Sequence, residues 1–419
     1  MNRAFDLKTL TVNGERLWGS LMDMAKIGAT PKGGVKRIAL TSEDKAGRDQ
    51  FVGWCKAQGL QVSIDQMGNL FARRAGAGGD SPQYSAPVMS GSHLDTQPSG
   101  GKFDGCYGVM AALEVCRTLD DYGIKTRHPI EVAVWTNEEG SRFTPVMEGS
   151  GVFVGAFTLE HARAQQDVDG ITFGAALDGI GYAGSAPCGH PVAAYFEAHI
   201  EQGPVLENEN KVIGVVSGGL GQRWFDVKIT GMEAHAGPTT MGLRRDALQG
   251  AVKIIEAIDT IGRGHPETRG TVGHVRVEPN SRNVIPGTAH FSVDLRAPTG
   301  ELLAGLVARF RQLATEVCAA RKLELAITET VYYPPTPFAA DCKDAIRAAA
   351  ERFGYPHMEL VSGAGHDAIY LAGVCPTGMI FVPCKDGISH NEIEDAKPEH
   401  LSAGCNVLLH AMLDRAGVV

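Results

Sequence analysis

Cysteine pairs at metal-motif or redox-motif spacing are absent from this chain. None of its nine cysteines forms a C-x-x-C unit, which argues against a zinc ribbon and a thioredoxin-type site. Their odd number and wide spacing suit free thiols in a reducing compartment, so a cytoplasmic location is expected. Long apolar runs are missing as well. The longest stretch without a formal charge, residues 179–196, holds Pro187, His190, Pro191 and several glycines and does not read as a membrane span. The opening MNRAFDLKTL lacks the apolar segment of a secretory signal. Positive charge is not in excess: the net charge is −9, which argues against nucleic acid as a partner. An anionic substrate would have to be met by local cations. No P-loop is present, and no G-x-S-x-G elbow. Gly149-Ser150-Gly151 lacks both the spacing and the downstream acid of a dinucleotide site.

What is present is a chain of 419 residues, 43% hydrophobic and 21% charged, which is globular in composition and long enough for two or three domains. The first 40 residues read as helical, with Leu10, Leu17, Leu21 and Met24 at roughly helical spacing, and a second helix is expected from Ser42 to Gln58. Residues 60–72 read as a strand pair about Met67-Gly68-Asn69, and 74–86 as a loop. Short apolar strands then end in polar clusters. Pro87 to Ser90 runs into His93-Leu94-Asp95, a helix follows from Tyr107 to Asp120, and Ile130 to Trp135 ends at Asn137-Glu138-Glu139. Alternating strands and helices imply an α/β fold with a largely parallel sheet, which binds ligands beyond the carboxyl ends of its strands.

Residues 222–331 follow another rhythm. Strands are expected at Arg223–Ile229, Thr271–Val277, Ala289–Leu295 and Leu323–Ile327. Helices are expected at Arg244–Asp259, with Leu248, Ala251, Val252, Ile255 and Ile258 inward, and at Glu301–Ala319, with Leu303, Leu306, Val307, Phe310 and Leu313 inward. The order βαββαβ is a ferredoxin-like split unit. It reads as an insertion, with Tyr332-Tyr333-Pro334-Pro335 at the return crossing.

Chemistry concentrates in a few clusters. His93-Leu94-Asp95 with Asp104-Gly105 suits a metal-ligating imidazole whose tautomer the Asp95 carboxylate holds, or simply a strand-end turn with an N-capping Asp. Glu138 and Glu139, adjacent and acidic, would repel unless a cation sits between them, and the alternative is a solvated acidic turn. His199-Ile200-Glu201-Gln202 and Ser389-His390-Asn391-Glu392 add two further imidazoles. Three imidazoles and two carboxylates are a ligand set for two adjacent divalent ions, and a bridging carboxylate leaves room for a shared water. Further groups are Gly231 to Gly237 around His235, Asn283 with Arg296, and the glycine-rich Ser362 to Asp367. Arg296 could equally be a surface charge paired with Asp294.

The stretches GSHLDTQPSGGKFDGCYG, TNEEGSRF, HIEQGP, GMEAHAGPTTM, PNSRNVIPG, SGAGHDA and SHNE, in this order from Gly91 to Glu392, resemble the hydantoinase/carbamoylase family of two-metal amidohydrolases. That family is related to aminoacylases and dinuclear zinc carboxypeptidases. The resemblance implies that His93, Asp104 and His199 hold one metal and Asp104, Glu139 and His390 the other. Glu138 would be the general base and Asp95 a supporting group behind the ligands. His235, Asn283 and Arg296 would reach the substrate, His235 from its own or from a partner subunit. Gln202, Gln222, Gly365 and His366 would line the pocket, with Arg223 a weaker candidate. The implied architecture is an α/β/α metal-binding domain, residues 1–215 and 332–419, carrying a ferredoxin-like lid and dimerisation domain, residues 216–331. The implied ions are two divalent metals, Zn²⁺ or Mn²⁺, Co²⁺ or Ni²⁺. The implied substrate is a small ureido carboxylate, above all an N-carbamoyl-L-amino acid, and the implied assembly a homodimer through the insert. N-carbamoyl-β-alanine and allantoate are alternative substrates. An aminoacylase or peptidase is disfavoured by His199, where those relatives place a carboxylate. A metal-stabilised binding protein is disfavoured by Glu138, because a structural metal needs no spare base.

Overall fold

The computed structural model describes residues 7–79 and 81–419. The readings on residues 1–6 and at position 80 therefore lie outside the described residues. The chain forms two compact units, Met1–Ser217 with Pro337–Val419, and Gly218–Thr336. The return crossing lies a few residues later than expected, because the last strand of the second unit, Glu324–Tyr333, continues through Tyr332 and Tyr333.

The first unit is built on a nine-stranded sheet. At its centre four strands run parallel: Ile130–Trp135, Val88–His93, Ala194–Ile200 and Thr377–Val382. Each is buried along its whole length, as expected of strands covered on both faces. The flanking strands pair antiparallel, Leu70–Arg74 against Ile130–Trp135 on one side and Ile213–Gly219 against Thr377–Val382 on the other. The register places His93 opposite Trp135 and Ile200 opposite Val382. The polar residues after each strand therefore emerge at one edge of the sheet, next to one another. Helix Cys106–Asp121 and helix Pro398–Ala416 cover the sheet and are themselves largely buried. Among the described residues no helix is long and apolar enough to cross a membrane.

The amino-terminal helix is shorter than the leucine spacing suggests. It spans Gly14–Ala25, capped by the Asn13 side chain, and buries Leu17, Leu21 and Met24. Leu10 is buried too, but from the segment ahead of the cap. After the helix the backbone must turn through Gly28 at φ 85°, which ends helical geometry before residue 40.

In the second unit, strands lie in the order Val275–Glu278, Thr288–Ala297, Gly221–Thr230, Glu324–Tyr333, all antiparallel. Helices Ala247–Gly262 and Gly300–Ala320 pack on one face, burying Phe225, Val227, Ile229, Phe291, Val293 and Leu295 beneath Ile254, Ile258 and Phe310. This is the βαββαβ arrangement. Two details differ from the sequence pattern. The strand expected over 271–277 is split into Arg269–Thr271 and Val275–Glu278. The inward stripe of the first helix runs through Ala247, Ala251, Ile254 and Ile258, leaving Val252 exposed, and the helix starts at the Asp246 cap rather than at Arg244.

Candidate metal centre

Three loops and two strand ends bring the donors of the first unit together. His93 ends its strand, and the backbone carbonyl of Asp95 lies 2.8 Å from its Nδ1. A carbonyl only accepts, so Nδ1 carries the hydrogen and Nε2 presents a lone pair. The expected partner was the Asp95 carboxylate, which is 3.9 Å from Nδ1. That carboxylate instead accepts the backbone N–H groups of Glu138 (3.3 Å) and Glu139 (3.2 Å). Asp95 thus ties the first cluster to the second, and its main chain, not its side chain, sets the imidazole. His199 follows the same logic, with Nδ1 2.9 Å from the carbonyl of Ile200. Its Nε2 accepts the N–H of Gly105 at 3.1 Å. Gly105 sits at φ 64°, and a Cβ there would collide with the His93 ring, so only glycine allows both imidazoles to converge.

Asp104 is the hub. Its carboxylate lies 3.2 Å from His199 Nε2, 3.3 Å from His390 Nε2 and 3.7 Å from His93 Nε2. Glu139 is 3.4 Å from His390, and Gln97 holds it through its side chain (2.7 Å) and backbone N–H (3.1 Å). Two donor sets result, His93–Asp104–His199 and Asp104–Glu139–His390, each with its ligand atoms within 4.8 Å of one another. Glu138 belongs to neither set, yet lies 3.5 Å from His93 Nε2.

The electrostatics show what these donors need. Burial pushes Glu138 well above the usual carboxylate range, reinforced by Asp367 and Glu139, and raises Glu139 to about 8, reinforced by Asp104. Burial also opposes charge on Asp104, but His199 and His390 hold it well below its ordinary value. His390 is raised to about 9 by its bond to Asp104, and His199 reaches about 9 because Asp104 overcomes burial. His93, farther from Asp104, is lowered by burial to about 4. Lone pairs on imidazole and carboxylate face one another across 3–4 Å gaps and compete for protons. A divalent cation satisfies all of them at once, so the donor set fits a pair of metal ions.

Other expected residues fall around this centre. Gln202 donates to Asp104 at 2.9 Å. Gly365 lies against Met147, and His366 is packed behind the centre with its ring 4.5 Å from that of His199. In His366–Glu197–His199, a third close group, Glu197 already accepts from Ser92, Tyr195 and the Ala368 N–H, which makes it a support. In the second unit, Arg296 stands directly opposite Gln222 on neighbouring strands. His235 pairs with Val284 on a two-stranded ribbon, so Asn283 is its neighbour, with the Asn283 carbonyl accepting the Ala236 N–H at 2.8 Å. Arg223 points to the opposite face from Gln222. It forms a bidentate pair with Glu329, Nε to Oε1 at 2.8 Å, and lies over Tyr332, a structural role that differs from the expected substrate contact. Arg296 pairs with Asp294 at 2.8 Å.

Gln97, Asp367 and Ser389 lie within the stretches GSHLDTQPSGGKFDGCYG, SGAGHDA and SHNE but were given no role of their own, whereas Glu394 lies outside every motif and carries no spacing signal.

The pattern of the peptidase family M20/M25/M40 matches residues 89–414. The chain is 48% identical to an N-carbamoyl-L-amino-acid amidohydrolase of Rhizobium meliloti, over 97% of this chain and 98% of that one. It is 38% identical to an N-carbamoyl-L-amino acid amidohydrolase of Geobacillus stearothermophilus, over 96% and 98%. The crystal structure of an amidase of the hydantoinase/carbamoylase family from Burkholderia multivorans superposes with a TM-score of 0.93 at 58% identity, covering 97% of this chain and 99% of that one. Imidazoles and carboxylates grouped at the carboxyl ends of a parallel sheet mark a metal-dependent hydrolase. The chain belongs to the hydantoinase/carbamoylase family of amidohydrolases, within the peptidase family M20/M25/M40.

The two donor sets lead to a direct expectation. Chelator-stripped protein titrated calorimetrically with Zn²⁺ should take two ions, and His390→Ala should lose one while staying folded by circular dichroism. Retention of both ions by that variant would remove His390 from the ligand set.

Proposed function

We propose that the protein hydrolyses N-carbamoyl-L-amino acids at the ureido C–N bond. Water adds to the ureido carbon, the bond to the amino acid nitrogen breaks, and the products are the amino acid, CO₂ and ammonia. The observation that carries this reading is the sharing of Asp104 between two donor sets while Glu138 stays outside both. The relatives whose names state this activity match along almost their whole length.

In this reading His93, Asp104 and His199 hold one divalent ion and Asp104, Glu139 and His390 the other. Zn²⁺, Mn²⁺, Co²⁺ and Ni²⁺ all suit such a mixed nitrogen and oxygen set. When bound, the ions supply Lewis acidity and make water acidic enough to be deprotonated near neutral pH. Glu138 takes that proton on its carboxylate and passes it to the departing nitrogen. Asp95 keeps Glu138 in place by accepting its backbone N–H. Gln202, held against Asp104, lines the site, with Gly365 and His366 behind it. An ammonia-release assay over N-carbamoyl-L-amino acids, N-carbamoyl-β-alanine, allantoate and N-acetyl amino acids tests the substrate class. The first group should give the highest kcat/KM, and preference for N-acetyl substrates would overturn the reading. Glu138→Gln should keep both ions and lose roughly 10²–10⁴-fold in kcat. Near-normal turnover would reassign the base.

We assign recognition of the substrate carboxylate to the second unit, through Arg296 and Asn283, with Gln222 and His235 alongside. A shielded bidentate arginine–carboxylate contact is worth on the order of 1.5–3 kcal/mol. Arg296→Ala should therefore cost about 10–150-fold in kcat/KM for the acid and little for the neutral amide of the same substrate. Lysine at this position keeps the charge without the fork and should rescue only partly. Equal damage to acid and amide would make Arg296 a structural partner of Asp294.

The second unit is also assigned the contact of a homodimer. Sedimentation equilibrium should give twice the chain mass, and a monomer at micromolar concentration that is fully active would exclude it.

A further inference from the structure

Glu394 is almost completely buried, at 1% exposure, and no step above uses it. It lies four residues beyond His390. Its Oε1 accepts two successive backbone N–H groups, from Phe103 at 2.9 Å and Asp104 at 3.2 Å. Its Oε2 accepts the hydroxyl of Ser389 at 2.7 Å, and the same hydroxyl lies 3.0 Å from the Asp104 carboxylate. One side chain thus spans the two loops that deliver Asp104 and His390. The approach is possible only because residue 101 has no side chain, since a Cβ on Gly101 would overlap the Glu394 carboxyl group. The Glu394 N–H closes back on the carbonyl of Asn391 at 3.0 Å, so the strap and the turn that carries His390 form one ring of contacts. His390 itself sits at φ 52°, a conformation that needs outside support in a non-glycine residue.

The Ser389 hydroxyl therefore lies between the Glu394 and Asp104 carboxylates, within hydrogen-bond distance of both, while Glu394 also accepts the Asp104 backbone N–H.

We propose that Glu394 is a positioning residue that sets the Asp104–Glu139–His390 metal position, acting through Ser389 and the backbone of Asp104. The proposal rests on the two-metal reading above. His93 and His199 are held by their own carbonyl partners, whereas Glu394 braces both Asp104 and, through Ser389, the turn that carries His390. Asp104 serves both donor sets but His390 only one, so loss of Glu394 should weaken the ion held by His390 more than the other.

The test is a Co²⁺ titration of chelator-stripped full-length protein, followed by calorimetry and by the visible absorption of the bound metal. The parent should take two ions. Glu394→Ala should bind the second ion about 10–100-fold more weakly, the usual cost of losing a group that orients a ligand, and the first ion with a clearly smaller loss. Glu394→Gln retains an oxygen for the two N–H groups and should stay close to the parent. Ser389→Ala removes only a partly buried hydroxyl, keeps the fold, and should weaken the second ion in the same direction, so the test stands even if Glu394→Ala does not fold. Unchanged second-ion affinity in Ser389→Ala, or equal weakening of both ions in Glu394→Ala, would overturn the proposal. A parent that takes fewer than two ions would instead overturn the two-metal reading on which it rests.

Discussion

Negative charge packed at the carboxyl edge of the central sheet is the constraint around which the first unit is arranged. Asp95, Asp104, Glu138, Glu139, Glu197, Asp367 and Glu394 are all at most 8% exposed. Carboxylates so crowded and so dry cannot all ionise without compensation. The structure compensates in three ways. Backbone N–H groups are directed at Asp95, Glu197 and Glu394. Hydroxyls serve Glu197 and Asp367, from Ser92 and Ser150. What remains is the demand of Asp104, Glu138 and Glu139, which neighbouring imidazoles meet only in part. A bound metal cation would answer that remainder, and Asp104 belongs to both donor sets.

Holding the donors in place costs conformational energy. Asn137, Gln202 and His390 are non-glycine residues at φ 58°, 58° and 52°. Such conformations cost on the order of 1–3 kcal/mol each and persist only where the surroundings over-determine them. Asn137 shows how: its amide donates to the Phe143 carbonyl (2.9 Å) and to Glu148 (3.1 Å), which aims the following Glu138 and Glu139 inward. From the other side Arg48, fully buried and paired with Asp44, donates to the carbonyl of Gly68 and to the Thr136 hydroxyl at the start of that turn. The acidic turn after Trp135 is therefore built from outside by residues that never approach the reacting atoms.

Much of this was legible in the sequence, for identifiable reasons. Parallel strands buried on both faces are short and rich in small and apolar residues, so Val88–His93 and Ile130–Trp135 stand out, and the polar residues that end or follow each lie at the ligand-binding edge. Alternation in 289–295 and in 223–229 revealed the second unit's sheet just as directly. Side-chain partnership was less legible. The choice between the carbonyl and the carboxylate of Asp95 as the partner of His93 is decided by a turn geometry that spacing does not encode. Glu394 and Asp367 matter through three-dimensional neighbours nearly 300 and more than 200 residues away, Asp104 and Ser150. In the helix Ala247–Gly262 apolar residues occupy more than one face, so spacing alone did not single out Ile254 over Val252 as the buried one.

Arg223 and Arg296 show how the core of the second unit decides which face a polar side chain takes. Both are arginines near the end of a strand beside glutamine or its cross-strand partner, and composition alone does not separate them. The pleat does. Phe225, Val227 and Ile229 on one strand and Phe291, Val293 and Leu295 on its neighbour must all turn toward the two helices. That requirement sends Arg223 to the helix side, where Glu329 and Tyr332 engage it, and sends Gln222 and Arg296 together to the other face. A slip of one residue in either strand would exchange the faces of every side chain on it and expose three large apolar groups. The face on which the Arg296 guanidinium lies is thus set by hydrophobic burial rather than by charge. Asp294, two residues before Arg296 on the same face, then holds the guanidinium in a single orientation.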